Sequence, residues 1–235
     1  MINKILGTII GFTGYLIQAI IKKEGLAVKF YRAADKYDNR SALSLASYGL
    51  ILFKRGESAA ALQHFKKMRD ATGKDFLDWV GATNMSLCYW KLHRIDEGIA
   101  VLEEIKKKYK HLNPDILTTL GYFYMLNGDL EKALEYTNEA LEADQEHGPA
   151  LDNLGQIYFR QDKLEKAEES FKKALDKKEN MVDSKYYLGK IYEKQGDKEK
   201  AAEYFKQAYN TAISQFSTVT RKQVEQKYRE YGIIE

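Results

Sequence analysis

The spacing Leu154-Gly155-x-x-Tyr158, Ala167, Phe171 and Ala174 returns 34 residues later as Leu188-Gly189-x-x-Tyr192, Ala201, Phe205 and Ala208. One step upstream the same frame reads Leu120-Gly121-x-x-Tyr124, Ala133 and Ala140. A fixed period of this length restricts the chain to a stack of short units, none of which can bury its apolar face alone. The residue types give the reason for the spacing. Two antiparallel helices approach closely only where both side chains are small, and bulky neighbours fill the space beside that contact. Gly155 and Ala167 supply such a contact, and Tyr158 and Phe171 fill beside it.

These residues resemble the tetratricopeptide repeat family, a 34-residue helix–turn–helix with small residues at unit positions 8, 20 and 27 and large ones at 4, 7, 11 and 24. The frame continues upstream with decay. Ala42 opens a unit with Gly49, Ala61 and Phe65 in phase, and Trp79 opens another with Ser86, Tyr89, Gly98 and Leu102. Unit starts at 42, 79, 114, 148 and 182 give steps of 37, 35, 34 and 34. The extra residues fall near Gly73-Lys74-Asp75 and at Asn113-Pro114, between units. The expectation is an all-α, right-handed α-solenoid of five repeats over 42–215, divided 42–78, 79–113, 114–147, 148–181 and 182–215. A hydrophobic helix at 1–24 and an amphipathic N-capping helix at 25–41 precede them, and a capping helix at 216–235 follows.

Turn chemistry agrees. Unit position 15 is Gly56, Gly128 and Gly196 in three repeats, where glycine supplies the left-handed residue that ends the first helix. Asp129 and Asp197 follow as N-caps for the second helix. His93 and Asp162 hold position 15 in the other two repeats and tolerate positive φ better than most residues. Two prolines, 44% hydrophobic and 30% charged residues suit a helical body, and no strand-period run with hairpin turns is present. Near the C-terminus Val219, Val224, Tyr228 and Tyr231 share one stripe backed by charged residues, with Gly232 as the stop.

Ile5 to Ile21 is 17 residues without a charge, preceded by Lys4 and followed by Lys22-Lys23. As a helix it spans about 26 Å, short of a ~30 Å hydrocarbon core but feasible with snorkelling lysines and a thinned bilayer. No small-x-small cleavage site follows, so a retained single-pass anchor is expected. Lys22, Lys23, Lys29 and Arg32 on its C-terminal side would keep the repeats in the cytoplasm. Residues 1–111 carry 19 basic and 11 acidic residues, a charge of +8, and residues 112–235 carry 18 and 23, a charge of −5. Gly7, Gly11 and Gly14 form a small-residue stripe that could pair two such helices into a homodimer in lipid. The alternative continues the repeat frame backward, placing Gly14 at position 8, Phe30 at 24 and Ala33 at 27 of a degenerate extra repeat over residues 7–40.

The resemblance also implies where a partner would sit. First-helix positions 9 and 12 of the family line its groove, and here they hold Leu50 and Phe53, Leu87 and Trp90, Tyr122 and Met125, then Gln156 and Phe159. A protein or peptide with apolar anchors would suit that lining. Asn84 and Asn153, both at position 6, could bond a bound peptide's backbone. The family's two-carboxylate clamp is not matched around either asparagine.

Enzymatic readings find no support. His64, His93, His111 and His147 lie in different units without metal-ligand spacing. The lone Cys88 excludes a disulfide framework. The sequence points to no catalytic residue, metal or cofactor. Nucleic acid is disfavoured at a net charge of +3, although Lys106-Lys107-Lys108-x-Lys110 keeps an RNA-binding array as an alternative. The function expected is a membrane-tethered protein-binding adaptor. The first alternative is a soluble adaptor with the N-terminal helix packed on the array.

Overall fold

The computed structural model describes residues 2–72, 75–109, 111–213 and 217–232, with the side chains of 72 and 75–78 left aside. The expected insertion at Gly73-Lys74, the last lysine of the basic run at Lys110, and residues 214–216 and 233–235 of the expected C-terminal boundary lie outside the described residues. The described residues contain helices and no strand, and they divide into two compact units, Met1–His111 and Leu112–Glu235.

In the first unit α1 (Ile2–Leu16) runs on through a π-helical stretch, Ile17–Ile21, and pairs with α2 (Glu24–Asp35). Two further hairpins follow, α3 (Ala42–Lys54) with α4 (Ser58–Thr72), and α5 (Asp75–Lys91) with α6 (Ile95–Lys108). In the second unit α7 (Pro114–Leu126) pairs with α8 (Leu130–Ala143), α9 (Gly148–Arg160) with α10 (Leu164–Lys177), and α11 (Val182–Gln195) with α12 (Lys198–Tyr209). The terminal helix α13 (Arg221–Glu230) lies on α12. Helix α5 starts at Asp75, ahead of Trp79, where the sequence frame opens its second unit.

The hairpin turns repeat one geometry. Unit position 15 has positive φ in all five repeats of the frame: Gly56 at 80°, His93 at 58°, Gly128 at 87°, Asp162 at 57° and Gly196 at 81°. At each turn the next residue donates its backbone N–H to the carbonyl five residues earlier, as in Glu57 to Leu52 (2.9 Å), Arg94 to Tyr89 (2.9 Å) and Asp197 to Tyr192 (3.0 Å). This closing bond satisfies a carbonyl that the helix end would otherwise orphan. Asp129 and Asp197 then cap the second helices by accepting from Lys132 N and Lys200 N, each at 3.0 Å.

The close contacts fall where small residues face large ones. A Cβ placed on Gly49, Gly155 or Gly189 would come within 2.8 Å or less of the ring of Phe65, Phe171 or Phe205, sixteen residues on. The first hairpin uses the same device with one residue more. A Cβ on Gly14 would meet Tyr31 at 3.0 Å, seventeen residues on, and the left-handed residue is Lys22 at φ 56°, one beyond its counterpart in the other repeats. The π-helical stretch accounts for the difference, because a π turn accommodates one inserted residue. Thus α1 and α2 form a helix–turn–helix of the same design as the repeats that follow.

Within the second unit α13 packs on α12. Val219 and Val224 bury against Val182 and Ala208, Tyr228 stacks on Tyr209 at 3.9 Å, and Thr220 with Gln223 forms a capping box. Gly232 ends the helix at φ 62°.

Candidate partner-binding surfaces

The first helices carry the residues that sequence reasoning assigned to a groove, and their burial separates them into two groups. In the first unit Leu50 and Leu87 are half-buried against the core and Trp90 is half-buried, with Lys91 Nζ 3.7 Å above its ring. Asn84 is half-buried and donates its amide to Val80 O of its own helix at 2.8 Å. Phe53 is a core residue, 3% exposed. In the second unit Tyr122 and Phe159 are half-buried, and Phe159 meets Tyr187 edge-on at 5.3 Å with Lys194 Nζ 5.0 Å above its ring. Met125, Asn153 and Gln156 are buried.

Asn153 shows why position alone misleads. Its Nδ2 donates to Thr118 O at 2.8 Å, 35 residues earlier. The amide that could have reached for a ligand instead ties α9 to a carbonyl of α7. Met125 is likewise engaged, its sulfur 3.1 Å from Arg160 Nη1. Leu50, Asn84, Leu87 and Trp90 in one unit, and Tyr122 and Phe159 in the other, are only half-buried.

Beside these lies a feature that sequence reasoning did not single out, a buried acidic pair. Asp152 on α9 accepts from Ser184 Oγ and, at 2.8 Å, from Gln156 Nε2. Asp183 on α11 accepts from Thr218 N at 2.7 Å, from Val219 N at 2.8 Å and from Thr218 Oγ1. Burial, reinforced by the charge of Asp183, pushes Asp152 up to about 7. Burial also raises Asp183, against the lowering effect of its Thr218 and Val219 donors. Gln156 Oε1 is buried without a hydrogen-bond partner among the described residues. A protonated Asp152 with the amide turned over would donate to that oxygen, and the two amide orientations differ only by exchange of O and N. The available signal was only their places at first-helix positions 5 and 2 of successive repeats.

Cys88 is fully buried, and burial pushes its thiol up to about 12, so it packs as a small apolar residue. Among the described residues no group of three or more His, Cys, Asp or Glu side chains is placed to hold a metal.

The other candidate surface is α1 with its π-helical extension. Ile2–Ile21 is, among the described residues, the one helix long and apolar enough to cross a membrane, and most of it is exposed. Gly7, Gly11 and Gly14 are its buried edge. A Cβ on Gly7 would collide with the Tyr37 carbonyl, one on Gly11 would meet Ser44 Oγ at 2.6 Å and Asn39 at 2.7 Å, and Gly14 faces Phe30 and Tyr31. A glycine-on-glycine contact with a second copy would therefore need α1 to leave this packing. The large apolar residues point the other way, with Ile2 80%, Ile9 59% and Ile20 73% exposed.

Comparison with known proteins places the architecture. Tetratricopeptide repeat family models match residues 112–180 and 153–217. No curated protein matches the sequence. A thermophilic tetratricopeptide repeat protein of Thermus thermophilus is similar in structure at a TM-score of 0.69 and 17% identity, covering 82% of this chain and 100% of its own. A tetratricopeptide repeat protein of Parabacteroides merdae gives 0.75 and 15%, covering 96% and 84%. YrrB, described as a repeat protein of this kind with an unusual peptide-binding site, gives 0.50 and 18%, covering 77% and 91%.

Proposed function

The chain belongs to the tetratricopeptide repeat family, and on that premise we propose that it is a protein-binding adaptor held at a membrane by α1. Proteins of this fold are, in general, non-enzymatic scaffolds for protein or peptide partners. The partner-binding residues proposed are Leu50, Leu87 and Trp90 on the first unit, and Tyr122 and Phe159 on the second. What supports this is their shared state. Each belongs to a first helix, and each is half-buried, leaving an apolar or aromatic part of its surface accessible. Rigid aromatic anchors of that kind carry most of the energy in protein interfaces. A peptide with apolar side chains at helical or extended spacing fits best.

The test is a pair of alanine variants, Trp90→Ala and Phe159→Ala, in partner capture by cross-linking from the native host. Loss of a defined partner band with unchanged far-UV circular dichroism is expected, at a cost of about 2 kcal/mol or roughly thirtyfold in affinity per hot-spot residue. Undiminished capture by the double variant would sink this reading.

The membrane part rests on a single observation, the exposed apolar side of Ile2–Ile21. Were α1 to span, the lysines and arginine that follow it would keep the repeats on the cytoplasmic face. Flotation of the full chain with native membranes on a density gradient tests this part, and recovery in the soluble fraction alone would exclude it. A soluble adaptor with α1 as an extra repeat is the second reading. It is favoured by the seating of Gly7, Gly11 and Gly14 on α2, α3 and the segment between them.

A further inference from the structure

We propose, resting on the membrane-held reading above, that α1 docks flat on an anionic lipid surface while its glycine edge stays seated on α2 and α3. The first observation is a division of labour around the helix. Ile5, Ile9, Phe12 and Leu16 form one outward stripe, 55%, 59%, 43% and 37% exposed, continued by Ile20 at 73%. The spacing of three and four residues keeps them on a single side. Gly7, Gly11 and Gly14 occupy the opposite side and are buried.

The second observation is that the inner edge is keyed to its seat. At Gly7 and Gly11 even a methyl group has no room beside Tyr37, Asn39 and Ser44. Thr8 Oγ1 accepts from Arg40 N at 3.3 Å, and Gln18 Oε1 accepts from Tyr31 OH at 2.6 Å. A helix that left to span a bilayer would carry Gln18 unpaired into hydrocarbon and strip the fully buried Tyr31 of its cover. A helix lying in the interface keeps all of this and immerses only the stripe that is already bare.

Charge selects the occupant. Residues 2–23 contain Lys4, Lys22 and Lys23 and no acidic residue. Of the three acids that follow, Glu24 pairs with Arg55 at 2.9 Å, Asp38 pairs with Arg40 at 3.1 Å and Lys4 at 3.9 Å, and Asp35 is hydrogen-bonded to His64 Nε2 at 3.0 Å. Lys22, Lys23, Lys29, Arg32 and Lys36 remain exposed. An apolar stripe followed by a cluster of exposed cations complements a surface of anionic headgroups over acyl chains. It opposes a second copy of itself, which would bring the same cations together.

The experiment uses the full chain with vesicles of phosphatidylcholine alone and of phosphatidylcholine with about 30% phosphatidylserine, a content comparable to an anionic leaflet. Expected are flotation with the anionic vesicles, weakening as salt rises, and release by alkaline carbonate. Amide exchange across α2 and α3 should be unchanged on binding. Ile5→Asp with Ile9→Asp, two positions 55% and 59% exposed, should lower vesicle partitioning by roughly tenfold or more without altering the thermal transition. Carbonate-resistant binding with accelerated exchange in α2 and α3 would mean a spanning helix, overturning the flat mode while leaving the membrane-held reading intact. Failure to float with either vesicle, together with a dimer by light scattering that the double aspartate variant dissolves, would overturn both.

Discussion

Replacing Gly155 with alanine sets two opposed effects against each other, and the structure decides the sign. In an open helix the change gains up to about 1 kcal/mol, because glycine loses more backbone freedom on folding. At Gly155 the new Cβ falls 2.7 Å from two ring atoms of Phe171 and 2.9 Å from a third. The ring has little room to yield, since Phe171 is fully buried and stacked on Tyr187 at 5.5 Å with planes 6° apart. Overpacking of that kind costs typically about 1–3 kcal/mol. A net loss of about 1–2 kcal/mol is expected, lowering the midpoint of thermal unfolding by roughly 2–8 °C for a chain of this size. Gly25→Ala is the control, because it sits near the start of α2 and its Cβ meets nothing within 4 Å; that variant should be neutral or slightly stabilised. Circular dichroism melts of both, with Phe171→Leu added to Gly155→Ala, complete the cycle, and the double variant should recover about 1 kcal/mol through coupling. A Gly155→Ala midpoint at or above that of the parent would refute the close-approach argument for the whole array.

Three further outcomes follow from other sites. Asp152 binds its proton more tightly folded than unfolded, with its pKa raised from 3.8 to about 7, so its contribution to stability is full at low pH and is lost as pH rises from about 4 to about 7. Urea midpoints should therefore decline across that window, and Asp152→Asn, which needs no proton, should flatten the decline. His93→Gly and Asp162→Gly relieve left-handed residues at φ 58° and 57°; each should raise stability by about 0.5–1 kcal/mol in denaturant titrations. Asp183→Ala removes the acceptor shared by Thr218 N and Val219 N, so amide exchange in α13 should accelerate while α9 and α10 keep their protection.

What was legible in the sequence was the pairwise contact inside each unit. Gly155 opposite Phe171 and Gly189 opposite Phe205 recur because two helices of one hairpin must meet at a fixed separation along the chain. Position outweighed residue type at the turns, since His93 and Asp162 adopt the glycine conformation where the frame puts them. The groove residues were less legible. Asn153 and Asn84 share a unit position, yet one crosses to the Thr118 carbonyl and the other bonds its own helix. That outcome depends on which backbone the neighbouring repeat presents, and no period within one unit encodes it. The Asp152–Asp183 pair escaped notice for the same reason, as its members come from adjacent repeats and look like ordinary solvated acids in isolation. At the N-terminus the same stretch read both as a lipid-spanning helix and as a degenerate repeat. Both rest on the same residues, because small residues suit close packing and large apolar ones suit lipid, and α1 carries one kind on each side.

The π-helical stretch at Ile17–Ile21 sets the rotational phase of α1. Winding those five residues into regular α geometry without shortening the chain would turn everything before them by about 100°, lifting the glycines off Tyr37 and Asn39 and swinging the isoleucines around the axis. Deleting Ala19 would take up the slack and leave the glycines where they are. One surplus residue thus separates a helix with a fixed outward side from one that could be dialled to another, and the length of the chain, more than its chemistry, sets which side faces out.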